Sequence, residues 1–398
     1  MVEHSAGSSA LGYLYQSRYA LLIALKKLKV DVGAEISIEK FDDISFDRDG
    51  SPRELIQTKH HQIGTSKNLS DASVDLWKTI RVWCDGIEAG SYSPSEVNFI
   101  IATTSHAPFN SSASNLKIEN RNFELALEKL MSTALSSQRK ENKEAYEVFK
   151  SLSPEKRKEF ISNFYVLDGS PGVEEVYEKI KDETFFVVPK EHHEHFLERL
   201  EGWWFNKIIK CLSKTGNTFI RVLEIDSKID ELREQFKEDN LPIDFLGELP
   251  PEPYYVDADT RCFVQQLKII SASNKRIEHA IKDYYRAFEQ RARWVREDLL
   301  VGGELENYES KLIDEWERHF EKHKENLGEN TTNDEKIAIG RNIYNDIQEL
   351  SINIRSECNE GYVVRGSFQL LADKQLVGWH PEFIEILRRI LASSGKPK

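Results

Sequence analysis

The dipeptide Asp49-Gly50, set between two strand-like segments, constrains this chain more than any other feature of its sequence. Both residues tolerate positive φ, which the tightest hairpin turns demand. Before it, AEISIEKFDDISFD (34–47) alternates in the manner of a strand, and after it ELIQTKHH (54–61) reads as the returning strand. Residues two apart in a strand share a face, so Gln57 and Lys59 project together and Thr58 points away. The hairpin sets Asp43 opposite them. Glu39 lies at an even offset from Asp43 and shares its face in a regular strand, whereas Asp42 faces away unless a bulge intervenes.

The flanking segments extend the pattern. Leu11, Leu14, Tyr15, Tyr19, Leu22 and Leu25 fall at helical spacing within 9–29, with Ser8 or Ser9 available as N-cap. Val74, Trp77, Ile80, Val82 and Trp83 mark a second helix over 73–87, and VNFIIATTS (97–105) reads as a buried strand. The order is helix, strand, strand, helix, strand, with a further strand expected in or near these segments. From about Asn122 to Leu212 the signals are helical, broken at 168–172. LPIDFLGELPPEPYY (241–255) holds four of the twelve prolines and reads as a linker or a docked irregular segment. Helical patterns then fill 260–325 and 336–356, and the chain closes on a strand-like unit from Gly361 followed by a helix. The expected architecture is an α/β (α+β) N-terminal domain over 1–120, a mixed and mostly helical region over 121–240, and a mainly α-helical C-terminal domain over 241–398.

Composition narrows the function classes. Four cysteines without CxxC spacing argue against a disulfide framework or a zinc ribbon, and fit a reducing cytoplasm. No run approaches the roughly eighteen apolar residues of a membrane span, and the first residues lack the pattern of a signal peptide. A cytoplasmic protein with no membrane contact is expected. A formal net charge of -13 excludes a protein that simply coats nucleic acid, so any DNA contact must be local.

One constellation carries chemistry. Phosphodiester hydrolysis needs a divalent cation held by oxygen ligands beside the scissile phosphate, and a group that poises water or stabilises developing charge. Asp43 is placed as the principal ligand for Mg2+ (or Mn2+), the Gln57 amide oxygen as a neutral second ligand, and Lys59 as the cation facing the phosphate. Glu39 is a further ligand or an acceptor behind one. The competing reading of the same residues is a solvated hairpin face, with Glu39 paired to Lys40 or Arg53. His60 and His61 follow the lysine and read as merely polar. His192, His193 and His195 do not converge at helical spacing, so a solvated face is expected there rather than zinc.

Taken with GYLYQ on the first helix, the runs IEKFDDISF, ELIQTKHH and DLWKT resemble the Cap-type double-stranded-DNA endonuclease domain of bacterial anti-phage systems, a branch of the PD-(D/E)XK superfamily. The resemblance covers roughly the first hundred residues. It implies a restriction-endonuclease-like fold, Asp43 and Gln57 for metal, Lys59 for catalysis, and Glu39 and Gln16 in support. RAFEQRARWVREDLL, ELENYESKLIDEWERHF and RGSFQLLADKQLVGWHPEF are similar to C-terminal regions of effector subunits in ABC three-component systems. Together the two ends resemble the nuclease subunits of Lamassu-type defence, which implies an SMC-like ABC ATPase and a small third subunit as partners.

Two classes of function follow: an active nuclease restrained until infection, or an inactive nuclease fold serving as DNA-binding scaffold, with an RNase using the same site as a third. Cutting both strands needs two centres, so a dimer or tetramer is the expected active species, with Trp294, Trp316, Phe288 and Phe320 as its candidate interface. Arg365 and Trp379 are the candidate contacts to the ATPase partner.

Overall fold

The computed structural model describes residues 7–60, 68–251, 256, 258–325 and 327–393. The chain divides into two compact units, Met1–Leu232 and Arg233–Lys398. In the first, α1 (Gly7–Lys27) precedes an antiparallel meander of β1 (Glu35–Ile38), β2 (Ile44–Arg48) and β3 (Ser51–Lys59). α2 (Val74–Glu88) crosses to β4 (Asn98–Thr103), and α3 (Phe123–Ser136), α4 (Lys143–Ser151) and α5 (Pro154–Ser162) lead to β5 (Phe164–Leu167). α6 (Val173–Glu183), α7 (His193–Leu212), β6 (Ile220–Arg221) and α8 (Val222–Gln235) follow. The mixed sheet runs β5-β4-β3-β2-β1-β6, with β3, β4 and β5 parallel.

The single strand expected over 34–47 is in fact two strands folded on one another, with Ile36 opposite Phe46 and Ile38 opposite Ile44. Apolar alternation runs through both, and the reversal between them carries no Gly or Pro to announce it. Glu39 adopts a left-handed φ of 56° there. The Asp49-Gly50 turn forms as expected, both residues at positive φ, 52° and 77°.

Both faces of the sheet are covered, which is why its strands lack clean polar alternation. On one face Leu55, Phe99, Ile101, Phe164 and Val166 join Leu76, Trp77, Ile80 and Trp83 of α2 in a continuous core. Ring geometry fixes this layer: Trp83 meets Phe164 edge-on at 5.2 Å, and Phe99 meets Phe160 at 4.9 Å. Ile36, Ile38, Ile44, Phe46 and Ile56 are buried at the alternate positions, and α1 packs on β1, α6 and α7.

Both margins of the sheet are short. β5 is four residues long and β6 two. Beside β5, the Arg121 guanidinium lies 4.1 Å from the Tyr165 ring centroid. It donates to the carbonyls of Phe164 (2.6 Å), Ser162 (2.9 Å) and Ile161 (3.1 Å). On α7, His193 is not solvated as its neighbourhood suggested; it is buried, 3.1 Å from the Thr184 hydroxyl. A histidine beginning a helix that covers the sheet faces inward with the apolar stripe of that helix.

The second unit is helical: α9 (Cys262–Ile269), α10 (Asn274–Arg296), α11 (Glu304–Lys324), α12 (Asn333–Gln348), α13 (Gly361–Asp373) and α14 (Phe383–Ser393). The stretch from Gly361, expected as strand-like, is therefore a helix. It is buried on every side, through Tyr362, Val363, Phe368 and Leu371 among others, so it has no apolar stripe for periodicity to detect. A Cβ on Gly366 would stand 2.0 Å from the Asp283 carbonyl oxygen, so α13 and α10 cross at a separation only glycine permits. The proline-rich segment docks through the Pro242 carbonyl, which accepts from Gln290 (3.0 Å) and Trp294 (2.7 Å). Trp294, Trp316 and Phe320 are buried in this unit while Phe288 is exposed, so three of the four expected interface residues are core. Their helices bury an apolar face against neighbours in the same unit. Among the described residues no helix is long and apolar enough to cross a membrane.

Candidate functional site

The residues singled out in the hairpin gather where β2 begins and β3 ends. Ile44 pairs with Ile56, and beyond that pair the ladder gives way to a side chain. The Asp43 carboxylate takes the place of a strand acceptor, its Oδ2 receiving the Thr58 N–H at 2.8 Å and the Thr58 hydroxyl at 2.9 Å. Asp43 is thereby fixed to the residue between Gln57 and Lys59. Alternation from Leu55 puts Gln57 and Lys59 on the α2 face of β3, both half-buried.

Residues 39–43 are a turn, not strand, and the Glu39 N–H closes it onto the Asp43 carbonyl at 3.2 Å. Gln16 reaches in from α1. Its side-chain amide donates to the same carbonyl at 2.5 Å and to Glu39 Oε1 at 3.2 Å, so it clamps both ends of the turn. Only 4% of Gln16 is exposed, and a buried amide without such acceptors would be costly. Gln16, Glu39 and Asp43 are thus brought together. Lys40 pairs with Asp47 at 3.0 Å and Arg53 with Glu96 at 3.7 Å, so neither occupies Glu39.

Three participants were not legible as such. Asp42 does not face away, because strand alternation does not apply within a turn. Its Oδ1 accepts the Asp43 N–H at 2.8 Å and its Oδ2 accepts the indole N–H of Trp83, a fully buried residue on α2. Burial pushes the Asp42 carboxyl up to about 7, opposed by the Trp83 bond and reinforced by the charge of Asp43. Asp75, in the first turn of α2, joins Asp43 and Asp42 in the electrostatic surroundings of Lys59. Burial draws the Lys59 ammonium below the usual lysine range while the three carboxylates pull the other way. The adjacent aspartates and the indole N–H, which needs an acceptor when buried, were the available signals. The His60 ring meets that of Tyr15 of α1 at a tilt, with ring centroids 4.8 Å apart. His61 lies outside the described residues.

Asp43, Gln57 and Glu39 carry oxygen donors of the kind a hard cation takes, and Glu39 is joined to the Asp43 turn through Gln16. Among the described residues no group of three or more His, Cys, Asp or Glu is arranged to hold a metal ion.

In the second unit Arg365 donates to Asp283 at 2.7 Å, joining α13 to α10. Trp379 is fully buried, edge-on to Tyr344 at 5.1 Å, and its backbone N–H donates to the Gln266 side-chain oxygen at 3.2 Å. It packs the interior instead of presenting a ring to a partner. Residues 263–387, from α9 into α14, match the family model described as C-terminal domain 7 of the ABC-three component (ABC-3C) systems. No curated protein matches the chain.

Proposed function

We propose, from a second unit that carries an ABC-three component C-terminal domain, that the chain is an effector subunit of such a defence system and that its first unit is a metal-dependent DNA endonuclease. The observation that carries the reading is the attachment of Asp43 to Thr58, the residue between Gln57 and Lys59, which fixes a carboxylate at the end of β3. The strand order β1-β2-β3-β4-β5, with α2 crossing between β3 and β4, supports a restriction-endonuclease-like fold around it.

In this reading Asp43 and Gln57 hold Mg2+ or Mn2+, and Glu39 stands behind them. Magnesium keeps several waters and commonly takes only one or two carboxylates, with substrate phosphate completing its shell, so a donor set this small fits. When bound, the ion would supply Lewis-acid activation of water and neutralise phosphate charge. Lys59 binds the scissile phosphate and stabilises the charge that develops on it. Gln16 and Thr58 keep Asp43 from turning away. The resemblance to Lamassu-type nucleases adds the rest: restraint by an SMC-like ATPase and a small third subunit, and activation by release into a dimer or tetramer.

The test is incubation of the purified chain with linear duplex, supercoiled DNA and RNA, with magnesium, manganese or chelator. Metal-dependent cleavage of DNA by the wild type, lost in Lys59→Ala, supports the reading. Cleavage of RNA alone would move the substrate assignment, and no cleavage by the free oligomer would leave a DNA-binding scaffold.

A further inference from the structure

The loop after β4 ends in a wholly exposed aromatic. Phe109 is 100% exposed, which no packing requirement explains. The loop that carries it is nonetheless firmly anchored. At its base the Thr104 N–H donates to the Lys59 carbonyl at 3.2 Å. Ala107 N–H is received by Asp168 at 3.0 Å, and Ser112 N–H by Asp71 at 2.6 Å, just before α2. Between these pins Ser111 N–H closes onto the Pro108 carbonyl at 3.1 Å, and Asn110 takes a left-handed φ of 59°. The tip Pro108-Phe109-Asn110 is therefore a held turn that points a ring into solvent.

We infer that Phe109 is a nucleobase contact, a ring that inserts into or stacks on the DNA held at the Asp43–Lys59 edge. This rests on the nuclease reading and adds to it the means of gripping the substrate. The loop springs from the carbonyl of Lys59 itself. Five residues separate Thr104 from Phe109, a reach of at most about 18 Å when extended. That is about half a turn of duplex, whose repeat is roughly 34–36 Å, so a duplex phosphate seated at Lys59 leaves its neighbouring base steps within range. In sequence the ring stands between Pro108 and polar Asn110, and the same loop carries His106, whose side chain is 85% exposed. A single ring in polar company suits a base stack or a groove wedge, whereas protein partners bury contiguous apolar patches. Charge supplies the need: at -13 the chain gains little from long-range attraction to phosphate, and stacking is the part of nucleic-acid affinity that requires no positive charge.

The experiment uses the full chain in chelator, titrated into duplexes carrying 2-aminopurine at successive positions, alongside cleavage assays with magnesium. Wild type should change the fluorescence at one or two positions. Phe109→Ala should lose that change and bind roughly 5- to 150-fold more weakly, while Phe109→Trp restores both. Phe186→Ala, which removes another almost fully exposed ring (95%), should behave as wild type. Unchanged fluorescence and affinity in Phe109→Ala, with cleavage intact, would overturn the inference and leave the nuclease reading standing. A Phe109-dependent signal in a wild type that never cleaves DNA would uphold it and overturn the nuclease reading. Loss of a protein partner with DNA binding unaltered would reassign the ring to a protein contact.

Discussion

The indole N–H of Trp83 donates to the carboxylate of Asp42, tying the buried face of α2 to the turn that carries Asp43. Trp83→Phe keeps most of the ring and removes the donor. A hydrogen bond to a charged or half-charged group contributes about 1.5–3 kcal/mol, so the first unit should lose stability of that order in urea unfolding. The turn should loosen locally as well, read as faster hydrogen exchange at Glu39 and Asp43 than at β4. Equal exchange in mutant and wild type would show that the bond does not hold the turn.

Asp42 also sets a pH dependence. Its folded value, about 7, stands above the 3.8 of an ordinary aspartate. The folded state therefore binds this proton more tightly, and the stability it contributes is complete below about pH 4 and is lost as pH rises through 7. At about 1.4 kcal/mol per unit the full effect is at most about 4 kcal/mol. Asp42→Asn should flatten the profile of denaturation midpoint against pH between 4 and 8 in chelator. Parallel profiles for mutant and wild type would remove Asp42 as its source.

Cleavage should fall at least about a hundredfold in Lys59→Ala, with circular dichroism and unfolding midpoint little changed, because burial already disfavours the Lys59 ammonium in the folded state. Asp43→Ala should lose cleavage likewise, and by leaving the Thr58 N–H and hydroxyl without their acceptor it should also lower the unfolding midpoint. Gln57→Glu adds a carboxylate to the donor set, so activity should persist with tighter apparent metal affinity. A metal titration of cleavage rate checks the direction, and weaker affinity would exclude Gln57 from the metal.

Gly366→Leu should disrupt the second unit. Its Cβ alone would stand 2.0 Å from the Asp283 carbonyl and 2.5 Å from the Ala287 methyl, and backbone cannot yield as a flexible side chain does. Overpacking typically costs about 1–3 kcal/mol, and a backbone collision lies at or beyond the upper end. The loss should appear in unfolding of the helical unit while hydrogen exchange at Glu39, Asp43 and Thr58 is unchanged.

Much of the site was legible because period-two alternation and a two-residue turn are local. Gln57, Lys59 and the Asp49-Gly50 reversal needed nothing beyond their neighbours. The second reversal at 39–43 was not legible, since its tightness comes from Gln16 on α1, twenty-odd residues away, and from a left-handed Glu39. Asp42 escaped for the same reason. β5 and β6 are too short, at four and two residues, to carry a pattern, and exist because neighbouring strands recruit them, β4 in parallel and β1 in antiparallel pairing. α13 defeated periodicity by being buried all round, and Trp379 looked like an anchor because sequence does not distinguish a ring that docks outward from one that fills a core.

Arg121 and the brevity of β6 have a consequence for assembly. An outward carbonyl of β5 is already occupied by a guanidinium, and the opposite margin offers two residues of backbone. A seventh strand from another molecule would find edges only four and two residues long, one of them with a carbonyl already taken. The assembly proposed above would then rest on side chains of helices and loops, with geometry set by shape and charge and open to reversal, and not on the continuous backbone pairing that turns a sheet into a fibre.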